Sequence, residues 1–338
     1  MLRYVSKSAL LIGITVVVMC GFYPAALWVF GQVLFPFQAN GSIVRDADGK
    51  VIGSLLVAQP FTKDEYFQPR PSAASYDATA STSSGYATSN YALRDRVARV
   101  IGPLATYASG DKKGQPVAPD VEAWFQADKA GGNPHIVGQW ANAHNSLAQG
   151  WVTGDPTHGA YVDDWAKSHA DAVKDWIKNN PATPQPKAAD LAVAFFTSYS
   201  NEHPGTFPSA VTKTGADGKS TTDIEPVTSG SDIQSIFFDM WRQDHADVAL
   251  NDLPGDLVTA SASGLDPHIT LENAEFQLDR VAAKWAADKK RDVADVRKEI
   301  EAILQDKAQA PWGGLIGEKL VNVLDVNLEL HKRYGDPA

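Results

Sequence analysis

Residues 10–35 read LLIGITVVVMCGFYPAALWVFGQVLF, within a longer window, 8–44, that carries no charged side chain. A hydrocarbon core of roughly 30 Å is crossed by about 20 apolar residues in a helix, so these 26 span it with room for tilt. Pro24 lies mid-span, where it kinks a membrane helix rather than abolishing it. The competing reading is a secretory signal, whose apolar core runs to about 7–15 residues before a small-residue cleavage site. The greater length here favours an uncleaved anchor. Arg3 and Lys7 precede the span with no acidic companion, which places the N-terminus in the cytoplasm and the bulk of the chain outside. Tyr23 and Trp28 suit an aromatic belt in the outer half. Gly13, Gly21, Ala25 and Ala26 are small enough to let a second helix approach.

Everything after Arg45 is polar, with room for one large domain or two smaller ones. The chain holds 30 Lys and Arg against 40 Asp and Glu; setting aside Arg3 and Lys7, the exposed part carries −12. Such a surface does not seek nucleic acid or anionic lipid. The single cysteine, Cys20, lies inside the apolar span, so the polar region forms no disulfide of its own.

Residues 42–57 (SIVRDADGKVIGSLLV) place β-branched residues on both sides of Asp48-Gly49, a hairpin signal. Residues 62–90 are rich in Ser, Thr, Ala, Tyr and Pro without a helical period, and read as extended or looped. A helical rhythm returns over 91–108 through Leu93, Val97, Val100 and Ile101, with Gly102-Pro103 as its stop. After a linker at 110–119 comes a block holding six of the nine tryptophans: Trp124, Trp140, Trp151, Trp165, Trp176 and Trp241. Aromatic core payload is the favoured reading of them, ahead of a carbohydrate or partner surface. Within the block, 161–178 reads as one amphipathic helix ended by Asn179-Asn180-Pro181, 188–199 as a second and 233–241 as a third. Residues 206–231, rich in Gly, Thr and Ser, read as an exposed excursion.

Residues 256–263 (DLVTASAS) form a short β-like run before a turn at 264–268. Thr270 caps a helix over 271–290, and Asp292 caps another to about Leu304 with Val293, Val296, Ile300 and Ile303 on one face. Residues 321–330 begin as strand and finish as helix.

Signals for catalysis are weak. Gly218-Lys219-Ser220 resembles the end of a phosphate-binding loop, but Lys213 stands where its first glycine belongs, and a polar hairpin around Asp217-Gly218 fits better. Neither a His-Glu-x-x-His helix nor a Gly-x-Ser-x-Gly elbow is present. His135, His144, His158 and His169 have spacings that match no ligand pattern, so no metal is expected. Asp266 with His268 forms either an acid–base pair or a structural corner.

Four segments, in order, resemble one family, the C subunit of the potassium-transporting Kdp P-type ATPase complex. They are the anchor running into Leu34-Phe35-Pro36 and Gln38-Ala39-Asn40-Gly41-Ser42; Tyr66-Phe67-Gln68-Pro69-Arg70-Pro71-Ser72-Ala73-Ala74, with Tyr76 following; 256–270 (DLVTASASGLDPHIT); and Gly317-Glu318 with Val321-Asn322-Val323-Leu324 and Asn327-Leu328. Residues 83–93 match the family's corresponding loop only loosely. The Trp-rich block has no counterpart in the short members and reads as an insertion.

The resemblance implies an α+β protein: one N-terminal transmembrane helix, then an extracytoplasmic mixed α/β domain interrupted by a mainly helical Trp-rich insertion. The expected division is 1–37 for the N-terminal tip and anchor, 38–114 and 251–338 for the two parts of the family domain, and 115–250 for the insertion. It also implies a single-pass accessory subunit in a bacterial inner membrane, partnered by a potassium-channel-like pore subunit and an ATP-hydrolysing P-type subunit. The chain lacks the Asp-Lys-Thr-Gly motif of P-type pumps and the many spans of a pore, so no catalytic residue is expected in it. ATP enters through the partner ATPase, whose affinity such a subunit is proposed to raise as a catalytic chaperone. The residues that the resemblance singles out as motif or interface candidates are Tyr66, Phe67, Arg70, Pro71, Ser72, Asp266, Pro267, His268, Asn322 and Asn327. The alternative from another class is an anchored binding module or hydrolase that uses the Trp- and His-rich insertion.

Overall fold

The computed structural model describes residues 2–46, 48–87, 89–214 and 220–335. The fold is mixed α/β and divides into two compact units, Met1–Gly85 with Pro254–Ala338, and Tyr86–Leu253.

In the first unit, Arg3–Leu34 is a helix long and apolar enough to cross a membrane, with none of it buried. It runs as α-helix over Leu2–Val16, widens to π-helix over Val17–Phe22, and returns to α-helix over Tyr23–Leu34. The cause is Pro24, whose ring crowds the carbonyl one turn back and which has no N–H to give. A wider turn just before it relieves the clash and keeps the helix continuous. The hairpin follows, Ile43–Arg45 antiparallel to Val51–Ser54. Its turn is closed by the Asp46 carboxylate, which accepts from the amides of Asp48 and Lys50, and by Gly49 at φ +80°. Residues 55–85 then run without a regular element of more than a turn.

The C-terminal part supplies the core. Helices Leu271–Lys289, Val293–Lys307 and Val323–Tyr334 pack with the two-stranded pair His268–Thr270 and Leu320–Asn322. Ala274, Leu278, Val281, Ala282 and Trp285 line one stripe of the first helix and meet Val296, Ile300 and Leu304 of the second. All three helices begin on side-chain caps: Thr270 to the amide of Asn273, Asp292 to those of Ala294 and Asp295, and Asn322 to that of Asp325. Val293 departs from the expected apolar face and is exposed, because it opens the first turn beside its cap. The β-like run expected over 256–263 is instead one helical turn, Gly255–Val258, and irregular chain. Local bonds displace strand pairing there: the Thr259 hydroxyl donates to the Gly255 carbonyl, and the Asp256 carboxylate accepts from the amide and hydroxyl of Thr270.

An acid-sensitive tie closes this unit. Glu299 accepts from Arg291, Arg333 and the Tyr334 hydroxyl. The Arg291 guanidinium first, then Tyr334, hold its carboxyl down at about 2, below the ordinary 4.5. A group depressed on folding contributes stability that is complete above its unfolded value and is lost as the pH falls toward the folded one. Glu299→Gln is therefore expected to lower stability near neutrality and to flatten the loss between pH 4.5 and about 2, read by circular dichroism melts across that range. A parallel shift of parent and variant at every pH would refute the role.

The second unit is mainly helical, with helices Tyr91–Ile101, Ala118–Gln126, Ile136–Ala143, Asn145–Gly154, Pro156–Ser168, Ala170–Asn179, Ala192–Glu202, Ser231–Ile236 and Phe238–Asp244. Asn90 caps the first through the amide of Ala92, and Gly102 ends it. The core is aromatic. Trp140 packs edge-on against Phe196 and Phe207, whose rings stack on each other, and Phe125 and Phe237 close the same cluster. Trp165 and Trp241 are buried, and Trp124, Trp151 and Trp176 pack against the cores from the side.

Three expectations need correction here. The helix expected over 161–178 is two, broken at His169, and the one over 233–241 breaks at Phe237. The segment 206–231 is not a loose excursion: Phe207–Thr214 pairs antiparallel with Ser220–Val227, and its inner end, Phe207 to Ser209, is buried. The turn assigned to Asp217-Gly218, with Lys219, lies outside the described residues.

Four helix ends in this unit, the break at His169 among them, share a device. His144, His169, His203 and His245 each stand four residues after an aromatic residue, Trp140, Trp165, Tyr199 and Trp241, and each is the residue at which a helix stops, with φ between −116° and −131° and ψ between 46° and 65°. Three of these imidazoles lie near the aromatic ring one turn back, at centroid distances of 5.2, 4.8 and 4.7 Å for His169, His203 and His245. A histidine at a helix C-terminus also faces the negative end of the helix dipole.

Candidate functional site

All ten residues singled out from the sequence fall in the first unit, where they hold the irregular segment between the hairpin and residue 85 against the C-terminal helices. Three clamps do this.

The first grips 64–68. Phe67 is buried in the core, and its amide and carbonyl are both taken by Asn327: the side-chain oxygen accepts from the Phe67 N–H at 2.9 Å, and the side-chain nitrogen donates to its carbonyl at 2.9 Å. Gln277 repeats the pattern on Gln68, at 2.7 and 3.1 Å. Trp285 donates its indole N–H to the Glu65 carbonyl at 2.8 Å, and Arg280 donates to the carbonyls of Asp64 and Tyr66. A chain segment with no ladder of its own thus has its backbone satisfied by side chains. Tyr66 lies beside Phe61, ring centroids 5.4 Å apart, and lines a shallow groove of about 330 Å³ with Ile52, Leu324, Leu328 and His331.

The second clamp bends the chain at 70–76. Arg70 donates to the carbonyls of Thr259 and Ala260 and to the Thr259 hydroxyl. The Ser72 hydroxyl donates to the Gly264 carbonyl at 2.5 Å and accepts from the amides of Ala74 and Tyr76. Tyr76 returns its own hydroxyl to the Arg70 carbonyl at 2.9 Å, and burial pushes its acidity below that of a free phenol. Ser75 and Tyr76 sit at φ +51° and +58°, which costs an L-residue of order 1–2 kcal/mol each and persists where surrounding bonds over-determine it. Opposite them, Gly264 at φ +70° is obligatory, since a Cβ there would meet the amide of Ala74 and the carbonyl of Thr82 at 2.9 Å. Pro71 fixes the entry to this bend.

The third clamp runs toward the hairpin. Asp266 accepts from the amide and Nδ1 of His268 at 3.0 and 2.9 Å. The His268 side-chain bond, first, holds the Asp266 carboxyl below its ordinary range, against the opposing pull of partial burial. With Nδ1–H given to Asp266, Nε2 is left as acceptor, facing the Asn322 amide nitrogen at 3.5 Å. Asn322 donates in turn to the Leu55 carbonyl at the end of the hairpin, at 2.8 Å. The buried Pro267 accepts from the amide of Val323. The pair therefore serves as a corner that ties loop, strand and hairpin together, and among the described residues no nucleophilic side chain is hydrogen-bonded to His268.

Reading the sequence missed Gln277, Arg280 and Trp285, which do as much for the first clamp as Asn327 does. Their spacing of 3, 5 and 8 along one helix carried the signal, since a polar residue inside an apolar stripe is buried and must find a partner.

The four histidines read as spaced wrongly for a metal have other occupations. His158 stacks on Trp151 at 3.9 Å, His169 bonds Glu202, His135 lies against the Ser200 carbonyl, and burial lowers the basicity of His144. Among the described residues no group of three His, Cys, Asp or Glu side chains is placed to hold a metal ion. A separate cleft of about 330 Å³ in the second unit is lined by Tyr161, Trp165 and Tyr199 together with His169, Glu202 and His203.

Comparison with known proteins matches the family model described as "KdpC: K+-transporting ATPase, c chain" to residues 5–144 and 228–332. The potassium-transporting ATPase KdpC subunit of Pseudomonas putida is 40% identical over 136 residues, 40% of this chain and 70% of that protein. The corresponding subunit of Pseudomonas savastanoi is 53% identical over 83 residues, 25% of this chain and 44% of that protein. That of Caulobacter vibrioides is 38% identical over 145 residues, 39% and 74% of the two chains. The matched parts thus span from under half to about three quarters of these relatives' lengths. With the family model covering both the anchor and all three clamps, the chain belongs to the KdpC family, the c chain of K+-transporting ATPases.

Proposed function

We propose that this chain is an accessory, non-pore subunit of a high-affinity, ATP-driven potassium importer. It assembles with a potassium-channel-like pore subunit and a P-type ATPase subunit, stabilises their complex, and raises the ATPase subunit's affinity for ATP as a catalytic chaperone. The observation that carries this reading is the family match on both sides of the middle of the chain, 5–144 and 228–332. The candidate residues support it in kind: Asn327, Arg70, Ser72 and Asn322 spend their polar atoms on this chain's own backbone, as scaffold residues do.

Arg3 and Lys7 ahead of the span favour a cytoplasmic N-terminus in the inner membrane and an extracytoplasmic polar region. On that topology the polar region faces away from cytoplasmic ATP. Its effect on nucleotide affinity then passes through the membrane subunits as a coupling free energy. We read the family-atypical insertion as 115–250, of which the family model leaves 145–227 unmatched. Trp151, Trp165, Phe195, Phe196 and Phe207 come from that stretch and pack with Trp140 and Phe237, so we read it as built into its unit rather than appended to it.

The test is affinity purification of the tagged chain from mild-detergent extracts of potassium-starved native cells, with protein identification and a potassium-stimulated ATPase assay. The expected outcome is recovery of a multi-span subunit and a P-type ATPase, whose activity falls when this chain is stripped away. Recovery of the chain alone, while the other two stay together without it, would overturn the reading in favour of an anchored binding module or hydrolase acting through the second unit's aromatic cleft.

A further inference from the structure

Trp165 and Leu191 are buried, but none of residues 166–190 between them is. The stretch contains the helix Ala170–Asn179, whose Ala172, Val173 and Trp176 only lean on the aromatic core. A segment with so few buried apolar contacts opens at low free-energy cost. At its root the helix Pro156–Ser168 stops at His169 with neither proline nor glycine to stop it, the residues there being Ser168, His169 and Ala170. The second helix then starts without a side-chain cap, so the N–H groups of its first turn lack helical partners. A continuous helix over 156–179 would satisfy them and would set Tyr161, Trp165, Ala172 and Trp176 on one stripe, as the apolar spacing of 161–178 predicts.

His169 holds the bend. Its Nδ1 lies 3.0 Å from the Trp165 carbonyl, its ring stacks on the Trp165 indole at 5.2 Å, and its Nε2 is 3.1 Å from the Glu202 carboxylate. The Ser198 hydroxyl steadies Glu202 by donating to it at 2.7 Å. The contact is open to solvent, the His169 and Glu202 side chains being 32% and 46% exposed. We propose that 166–190 is a hinged arm: Glu202 latches it bent at His169, and release of the latch lets 156–179 join into one straight helix. The arm lies within the stretch that the family model leaves unmatched, so its swing is a device of this chain's own second unit.

The return tether is long enough for the swing. The helix Ala192–Glu202 runs parallel to Pro156–Ser168, since Tyr161 meets Phe195, Trp165 meets Ser198 and His169 meets Glu202. Straightening carries Asn179 about 15 Å beyond His169, while Leu191 stands about 16 Å behind it along the neighbouring helix, at roughly 1.5 Å per residue. With roughly 9 Å between the axes of packed helices, the gap from 179 to 191 becomes about 32 Å. The chain from 179 to 191 spans about 37 Å in an extended polyproline-like form, at roughly 3.1 Å per residue. Pro181, Pro184 and Pro186 favour that form. In the bent state the slack is taken up by turns, the Thr183 N–H on the Asn180 carbonyl and the Asp190 N–H on that of Lys187.

The test measures a distance in the full chain. Cys20→Ala removes the native thiol, and spin labels are attached through Asp163→Cys and Lys178→Cys, both at exposed positions. A continuous helix separates these Cα atoms by about 22 Å at roughly 1.5 Å per residue, and any bend at His169 gives less. Double electron–electron resonance on the parent is expected to show mainly the shorter distance. Glu202→Ala and His169→Ala, which remove the two halves of the latch, should each raise the long-distance share roughly 2- to 10-fold, the weight of one hydrogen bond. Glu202→Gln should stay with the parent, because a carboxamide accepts from the ring nitrogen or donates to it. Ala170→Pro should abolish the long distance in every background, since proline fits the first position of a separate helix but not the interior of a continuous one. Near-ultraviolet circular dichroism of the aromatic core identifies a latch variant that fails to fold, and the other then carries the test. A distance distribution that the folded latch variants leave unchanged, or broaden without a peak at the helical distance, would overturn the inference. So would a long distance that survives Ala170→Pro.

Discussion

Asn327→Ala is expected to destabilise the first unit by about 2–5 kcal/mol, enough to consume much of a domain's net stability. Asn327 is only 2% exposed, and its carboxamide meets both polar groups of the Phe67 backbone. Truncation removes two hydrogen bonds and leaves a buried N–H and a buried carbonyl without partners, each costing about 1–3 kcal/mol. Phe67 itself sits in the core, so the segment cannot peel away to find water without exposing that ring. Hydrogen exchange at the Phe67 and Gln68 amides reads the effect directly. Both should lose protection in the variant, together with the Gln277 contact beside them, and the chain should co-purify poorly with its complex. Asn327→Asp should be no milder, because a carboxylate accepts from the amide but cannot donate to the carbonyl. Retained protection at Phe67 and a melting curve within about 0.5 kcal/mol of the parent, the usual effect of a surface change, would show that the clamp is dispensable.

Trp140→Ala is expected to cost roughly 3–5 kcal/mol, the range for removing a large aromatic from a closed core. The ring is 1% exposed and contacts Phe196, Phe207 and Phe237 at centroid distances of 5.2, 5.9 and 6.0 Å. These come from one helix, the inner end of the hairpin and the break between two short helices, so a cavity there loosens all three. The loss should be confined to Tyr86–Leu253, the unit whose aromatic core holds Trp140. Exchange mass spectrometry would show peptides from the second unit deprotected while those of 271–304 stay protected. Simultaneous deprotection of both would mean that the two units unfold as one, and that the division of the chain has no thermodynamic counterpart.

The two variants probe features that differed in how readable they were. The caps at Thr270 and Asp292 and the turn at Asp48-Gly49 are local chemistry: a side chain satisfies amides two or three residues away, and the pattern is complete within a few positions. The clamps are not, since Asn327 and Phe67 stand 260 residues apart and Gln277 and Gln68 stand 209 apart. Resemblance pointed to several of these residues without saying what they do, and passed over Gln277, Arg280 and Trp285. The helix breaks at His169 and Phe237 were legible only in part. Apolar periodicity continues through them, and it is backbone conformation rather than pattern that stops the helix.

By itself the sequence determined the membrane-length helix, the two capped helices that follow 270, the strand-to-helix switch at 321–330, and the family, because each rests on contiguous chemistry or an ordered set of short motifs. Tertiary structure alone decided that the polar residues of 64–76 and 266–268 serve their own backbone, and that 206–231 roots a hairpin in an aromatic core. The physical reason is that a buried polar group must find a partner somewhere, whereas which partner it finds depends on how distant segments come together.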